Sequence, residues 1–170
     1  MSKETPFVAV LIGSDSNLPV MESALQVLKG LKVRVEFGIK SAHRTPDATR
    51  AYVQDADARG CAVFIAAAGL AAHLAGTVAA LTIKPVIGVP MDGGPLSGMD
   101  ALLSTVQMPD GIPVGCVTIG KAGAKNAAYL AAQIMALQDE KLAVRLKHQR
   151  STVAEQILAK DAALRDHDPV

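Results

Sequence analysis

Short apolar segments that alternate with longer amphipathic segments constrain the fold of this chain most strongly. Continuous apolar runs at Phe7–Ile12, Cys61–Ala67 and Pro85–Pro90 are typical of strands that are buried on both faces of a parallel sheet. Val33–Ile39 and Val114–Ile119 predict two further strands. Because helical patterning separates the strands, the sequence predicts an α/β protein, a three-layer α/β/α flavodoxin-like fold with a five-stranded parallel sheet.

The segments between the strands predict the helices and the domain organisation. Helices are expected at about 18–31, 45–60, a short segment ending near 82, 99–106, 122–137 and 139–164. Residues 1–138 would form the flavodoxin-like domain that carries the functional site, and residues 139–170 an additional C-terminal helical extension that packs on a neighbouring subunit. Apolar residues of this extension lie on roughly one stripe: Leu142, Leu146, Val153, Ile157 and Leu164. Its basic cluster is expected to be a solvated face: Lys141, Arg145, Lys147 and Arg150.

Composition excludes several classes of protein. Half of the 170 residues are hydrophobic and 19% are charged, which is typical of one globular domain with a substantial core. The net charge of +1 gives no electrostatic reason to expect nucleic acid or a membrane surface as a partner. No apolar run approaches the ~20 residues of a membrane helix, and the first residues do not resemble a signal peptide, so a cytoplasmic protein is expected.

Small residues are abundant, whereas aromatic residues make up only 3% of the chain. A core so poor in aromatic residues favours a homo-oligomer, because burial between subunits would add to its apolar contacts. Cys61 and Cys116 fit neither a zinc spacing nor a C-x-x-C motif, so they are expected to be reduced, packed thiols.

The octapeptide Lys40–Asp47 predicts an anion-binding site with a proton donor beside it. Ser41, His43 and Arg44 directly precede a predicted helix N-terminus, where backbone N–H groups and the helix dipole favour anions. Thr45 is the expected N-cap of that helix. An arginine fork matches a phosphate or carboxylate, and a histidine exchanges protons near neutral pH. The alternative, a surface loop whose His and Arg are merely solvated, fits the octapeptide equally well.

Two further loops follow predicted strands. Gly13–Asn17 is rich in hydroxyl groups at a helix start and is a candidate anion or ribose site, although capping alone explains such a loop. Ala68–Gly76 surrounds His73 with small residues that let a ligand approach the backbone, although a lone His in such a segment is often a satisfied core residue. The carboxyl ends of parallel strands share one edge of the sheet, so these loops would bring Ser14 and His73 next to His43 and Arg44.

Other segments suggest a lid over the site and argue against a P-loop nucleoside triphosphatase. Met91–Gly98 is a flexible loop and the best candidate for a lid. Gly115–Ala122 spells G-x4-G-K, but a P-loop needs Ser or Thr where Ala122 stands, and the four middle residues are predicted to be strand. No His and carboxylate cluster has metal-ligand spacing, so no metal site is predicted.

Four motifs carry a family resemblance. Ser41–Pro46 reproduces the S-A-H-R-T-P of class I N5-carboxyaminoimidazole ribonucleotide mutases, which act in purine synthesis. Gly13–Asn17 resembles the family's G-S-x-S-D, Ala68–Gly76 its G-G-A-A-H-L-P-G, and Gln107–Val114 its Q-M-P-x-G-(I/V)-P-V. The resemblance implies a flavodoxin-like octamer with active sites between subunits and with no metal or organic cofactor.

The resemblance also implies roles for individual residues. His43 would be the general acid and base that moves a carboxylate from an exocyclic nitrogen to a ring carbon, by release and recapture of carbon dioxide. The residues implied to bind the ribonucleotide substrate are Gly13, Ser14, Asn17, Ser41, Arg44, Gly69, Ala71, His73 and Leu74.

The chain departs from the family pattern at three positions. Asn17 stands where the family usually has an Asp that contacts the ribonucleotide, and its carbonyl can still accept from a ribose hydroxyl. Leu70 replaces a Gly and could crowd the place of the substrate ring, and Ala75 replaces a Pro. Two alternatives remain: a class II carboxylase, which has a similar fold and uses free carbon dioxide, and a non-catalytic nucleotide-binding module, which the three departures keep open. Arg44 and the A-A-H-L segment favour class I, because class II usually has Lys at that position and lacks the segment.

Overall fold

A computed structural model describes residues 5–165 of the chain. The five strands are β1 (Phe7–Ile12), β2 (Arg34–Ile39), β3 (Cys61–Ala68), β4 (Val86–Pro90) and β5 (Gly115–Cys116). The six α-helices are α1 (Leu18–Gly30), α2 (Pro46–Ala58), α3 (Leu74–Ala79), α4 (Met99–Val106), α5 (Gly120–Ala136) and α6 (Glu140–Arg165). A single 3₁₀ turn, Asp15–Asn17, leads into α1.

The strands form one parallel sheet in the order β2-β1-β3-β4-β5. This is the flavodoxin-like order, so the predicted fold class is confirmed. Every residue of β1 and β4 is buried, as their continuous apolar runs predict, whereas the edge strand β2 leaves Phe37 and Ile39 exposed. The chain reaches β2 on one side of β1 and β3 on the other. The loops after these strands therefore diverge at a switch point, where such sheets bind ligands.

Alternate residues of β1 face two separate hydrophobic layers. Val8 and Val10 pack with α1, α5 and the start of α6, and Phe7 and Leu11 pack with α2 and α3 on the opposite face. The buried face of α5 consists of fully covered alanines: Ala124, Ala127, Ala128, Ala131 and Ala132. Because alanine projects little beyond the helix backbone, α5 lies close to both the sheet and α1.

The C-terminal helix α6 packs on its own chain only at its beginning. Leu142 and Leu146 are buried in the layer formed by α1 and α5, whereas Val153 and Ile157 are exposed. The basic cluster is not purely solvated as predicted, because Arg145 donates from Nε to the Leu31 carbonyl at 2.8 Å. That hydrogen bond holds the first turns of α6 against the end of α1.

Strand β5 is shorter than predicted. The sequence predicts strand over Val114–Ile119, but only Gly115–Cys116 pairs with β4, and Val117 N adds one hydrogen bond to the Gly88 carbonyl. The chain then turns sharply into α5: a Cβ on Gly123 would overlap the Thr118 carbonyl. The prediction that residues 116–119 are all strand is therefore wrong, although Ala122 still lacks the hydroxyl of a P-loop.

Both cysteines are free thiols, as predicted. Cys61 is buried, and its burial raises the pKa of its thiol to about 11. Cys116 is half-buried, and burial raises the pKa of its thiol as well. Of the helices within residues 5–165, none has the length and apolar character needed to span a bilayer.

Candidate active site

Loops at the carboxyl ends of β1, β2, β3 and β4 surround a cleft of about 450 Å³. The structure places all ten residues that the sequence nominates on the lining of this cleft: Gly13, Ser14, Asn17, Ser41, His43, Arg44, Gly69, Ala71, His73 and Leu74. The expected convergence of the first three loops therefore occurs. The roles of the individual residues stay predictions.

The turn that carries His43 and Arg44 is held by two threonines. Thr45 N donates to the Ser41 carbonyl, and Thr45 Oγ1 both donates to that carbonyl and accepts from Ser41 N, with distances of 3.0–3.2 Å. The fully buried Thr49 donates from Oγ1 to the carbonyls of Ser41 and Thr45. Thr45 precedes α2 as predicted, but its hydroxyl makes no cap hydrogen bond to that helix. It closes the preceding turn instead.

The loop after β1 has its own network of short polar contacts. Ser14 Oγ donates to Asp15 Oδ1 at 3.0 Å and accepts from Ser16 Oγ at 3.1 Å. Asn17 directly precedes α1, but its side chain makes no cap hydrogen bond to that helix. Asn17 is only 9% exposed and lines the cleft, so its carboxamide can offer both a donor and an acceptor to a ligand there.

His43 and His73 form a hydrogen bond across the cleft. His43 Nε2 lies 2.8 Å from His73 Nδ1, and the two rings meet edge to face with centroids 4.9 Å apart. Both rings are exposed, so the alternative that His73 is a satisfied core residue is wrong. One ring must donate and the other must accept, which means that this pair shares one proton and can transfer a proton to or from a ligand.

Arg44 gives the cleft its positive charge. Among residues 5–165, it is the only Lys, Arg, Asp or Glu residue that lines the cleft. Its backbone N donates to Ser41 Oγ at 3.0 Å, while its guanidinium is exposed and unpaired within the described part of the chain. The N-terminus of α2 follows two residues later and adds the positive end of its dipole. The positive charge of Arg44 and the helix N-terminus both favour an anionic ligand group in this part of the cleft.

Several residues that line the cleft are not among the site residues predicted from the sequence. Met91, Gly93 and Gly94 reach the cleft from the loop after β4, which the sequence marks as a lid candidate but not as part of the site. Leu70 also lines the cleft and has a left-handed backbone conformation, with φ of +55°. The flavodoxin-like topology is the observation that predicts a contribution of the β4 loop, because all four carboxyl ends meet at one edge.

Of the other two departures from the family pattern, Asn17 lines the cleft, whereas Ala75 does not. Ala75 is buried in α3 and faces β4, where a Cβ on Gly88 would lie 3.3 Å from its own Cβ. It is not part of the cleft lining.

No group of three or more His, Cys, Asp or Glu side chains in the described residues is placed to hold a metal ion.

The fold and the cleft together define a flavodoxin-like α/β protein with two hydrogen-bonded histidines and an arginine in a cleft at the carboxyl edge of its sheet. The family model described as AIR carboxylase matches residues 7–156 of this sequence. The chain belongs to the AIR carboxylase family.

Individual relatives agree with that membership. The N5-carboxyaminoimidazole ribonucleotide mutase of Brucella melitensis is 51% identical, over 88% of this chain and 93% of the relative. Proteins of the same name from Bacillus subtilis (49% identical, 90% and 94% covered) and Escherichia coli K12 (48% identical, 89% and 89% covered) are also similar. The crystal structure of Treponema denticola PurE is 30% identical and superposes with a TM-score of 0.85, over 94% of this chain and 99% of that one.

Proposed function

We propose that this chain is an N5-carboxyaminoimidazole ribonucleotide mutase, which forms 4-carboxy-5-aminoimidazole ribonucleotide in purine synthesis. The observation that carries the proposal is the His43–His73 pair, which lies beside Arg44 in one cleft of a member of the AIR carboxylase family. Relatives named for this activity are about half identical over most of their length, which supports the same reaction here.

The phosphoribosyl portion would occupy the polar end of the cleft. Arg44 and the first turn of α2 would bind the phosphate, because a guanidinium fork and a helix N-terminus both favour such a group. Ser14 and Asn17 would contact the ribose. The carboxamide of Asn17 can accept from one hydroxyl and donate to another oxygen, which a carboxylate at the same position could not do.

The reaction would move the carboxylate in two steps. First, the carbamate N–C bond breaks, its electron pair stays on nitrogen, and His43 gives that nitrogen a proton while carbon dioxide stays in the cleft. Second, the ring carbon attacks carbon dioxide, a C–C bond forms, and His43 takes the proton that this carbon gives up. Protons and electrons balance over the cycle, so His43 ends in the state in which it began.

His73 would assist by exchanging a proton with His43. The hydrogen bond between their rings holds His43 in one orientation at the cleft wall. When a substrate displaces this contact, one ring is left with an N–H to donate and the other with a bare nitrogen to accept. Small and apolar residues complete the pocket for the ring and carbon dioxide: Ala68, Gly69, Ala71, Leu74 and Met91.

We also propose that copies of the chain associate, as the expected octamer. Apolar side chains that monomers rarely expose together lie along one side of α4 and of the preceding residues: Leu96, Met99, Leu103 and Val106. The second half of α6 exposes another set: Val153, Ile157, Leu158 and Leu164. His43, Arg44 and Ala71 are exposed at the open side of the cleft, where a neighbouring copy would complete the site. Light scattering of purified protein should give the mass of eight chains.

Turnover of the carbamate ribonucleotide by purified protein tests the proposed activity. The assay contains neither ATP nor bicarbonate, and a parallel assay supplies aminoimidazole ribonucleotide with bicarbonate. We expect conversion of the carbamate in the first assay. Conversion only in the second would assign the carboxylase activity instead, and ribonucleotide binding without any conversion would support a non-catalytic binding module.

A further inference from the structure

Leu70 has an unusual backbone conformation for its side chain. Its φ is +55°, in the left-handed region that glycine favours, and only Lys32 and Ser97 share this property among the non-glycine residues of the described chain. Such a conformation is disfavoured for L residues and persists where surrounding contacts maintain it. Leu70 also leaves 53% of its surface exposed at the cleft. A contact that compensates for both features is therefore expected.

That contact is with Gly94 in the loop after β4. A Cβ on Gly94 would overlap Leu70 Cδ2, so the leucine side chain lies directly on the glycine backbone. Gly94 is itself in the left-handed region, with φ of +82°. Both residues line the cleft, and their contact therefore joins the loop after β3 to the loop after β4 at its margin.

The loop that receives Leu70 is fixed mainly at its two ends. Met91 is buried and donates from its backbone N to the Ala68 carbonyl at 3.0 Å, and Gly98 is buried at the start of α4. Residues 92–97 between them are exposed. The backbone hydrogen bond from Ser97 N to the Gly94 carbonyl stays within the loop. The Leu70 side chain therefore restrains the middle of a loop that otherwise depends on its ends.

We propose that Leu70 is a positioning residue that latches the loop 91–98 over the cleft and thereby retains carbon dioxide between the two steps of the reaction. The inference rests on the proposed function. Carbon dioxide is small, uncharged and held by no strong hydrogen bond, so its retention depends on a closed apolar wall. Leu70, on the loop after β3, would close that wall by holding the loop 91–98 in place.

Exchange of carbon with the solvent measures this retention directly. Unlabelled carbamate ribonucleotide is converted in the presence of ¹³C-bicarbonate and carbonic anhydrase, and ¹³C in the product carboxylate is measured. Burial of about half of a leucine side chain shifts the equilibrium between a closed and an open loop by a factor of about five. Leu70→Gly should therefore raise the incorporation of ¹³C into the product about fivefold. Lys32→Gly relaxes a similar left-handed residue outside the cleft lining and should not change incorporation. Incorporation at the wild-type level in Leu70→Gly would overturn the proposal.

A double-variant cycle separates the latch from general loosening. Gly94→Ala should displace the leucine and raise incorporation in the wild-type background. In the Leu70→Gly background no side chain remains to be displaced and only the strain of a left-handed alanine is left, so the same substitution should have a smaller effect there. Equal effects of Gly94→Ala in both backgrounds would contradict a direct contact between the two residues.

The latch can be distinguished from the proposed activity by amide hydrogen exchange. Exchange of the Ser97 amide, which donates to the Gly94 carbonyl, should be about fivefold faster in Leu70→Gly than in wild type, whether or not the carbamate is converted. If wild type does not convert the carbamate, the proposed function fails, and faster exchange would still establish the contact. Unchanged exchange in the variant would refute the latch even in an active enzyme.

Discussion

Replacing Thr49 by Val tests whether a buried hydroxyl holds the turn that carries the proposed acid–base residue. Thr49 is fully buried, and its Oγ1 donates to the carbonyl of Ser41 at 3.2 Å and to that of Thr45 at 2.9 Å. Valine has nearly the same shape, so the substitution removes the donor and leaves no cavity. The change therefore isolates a hydrogen bond between α2 and the turn that precedes it.

The cost in stability follows from the donors that remain. The Ser41 carbonyl still accepts from Thr45 N, and the Thr45 carbonyl still accepts from Thr49 N, both at 3.0 Å. No acceptor is left unpaired, so the loss is one net hydrogen bond, about 1 kcal/mol. For a chain of this size that corresponds to about 3 °C in Tm. The freed turn would also hold His43 less accurately, and we expect kcat/KM to fall about tenfold.

Thr105→Val is the matched control. Thr105 is 2% exposed and donates from Oγ1 to the Ala101 carbonyl at 2.7 Å within α4, and it is not part of the cleft lining. Thermal unfolding should show a similar loss for both variants, while turnover should fall only in Thr49→Val. Unchanged turnover in Thr49→Val, or an equal decrease in both variants, would refute the proposed link between this hydroxyl and the site.

Three further substitutions have defined outcomes. The ion pair and hydrogen bond from Arg59 lower the pKa of Glu36 below its ordinary 4.5. The carboxylate therefore stabilises the fold above that pH, and its contribution is lost as the pH falls through the lowered pKa. Glu36→Gln should reduce the free energy of unfolding by about 1–2 kcal/mol at pH 7, and an acid titration should show this difference shrinking as the pH falls below the ordinary 4.5 and through the lowered pKa of Glu36; a constant difference would contradict this. Leu142→Ala should lower the free energy of unfolding in urea by about 3 kcal/mol, because Leu142 is 1% exposed. A decrease under about 0.5 kcal/mol would mean that the start of α6 does not pack against α1 and α5. Arg44→Ala should weaken ribonucleotide binding about tenfold or more in calorimetry, and an unchanged affinity would show that Arg44 does not bind the phosphate.

The fold could be predicted because its determinants are local. The apolar runs of β1 and β4 are long enough to be buried on both faces, and the helical segments between the strands require parallel neighbours. Parallel strands then bring the loops after β1, β2 and β3 to one edge. Ser14, His43 and His73 could therefore be placed together without any knowledge of their contacts.

The features that escaped prediction depend on contacts between distant parts of the chain. Nothing in the sequence near His43 shows that its ring meets His73, and nothing near Leu70 shows that it lies on Gly94. The hydrogen bond from Arg145 to the Leu31 carbonyl likewise joins residues 114 positions apart. Strand β5 ended early for a related reason, since the close approach of α5 to the preceding carbonyl forces the chain to turn.

The central claim is that His43 transfers the proton, and turnover by His43→Asn tests it most directly. Asparagine keeps a polar side chain but cannot act as an acid or base near neutral pH, so we expect kcat to fall at least about a hundredfold. Binding of aminoimidazole ribonucleotide, measured in parallel, should persist. His148→Asn, on the exposed face of α6, should keep wild-type turnover. Near-normal turnover in His43→Asn with intact binding would contradict the account.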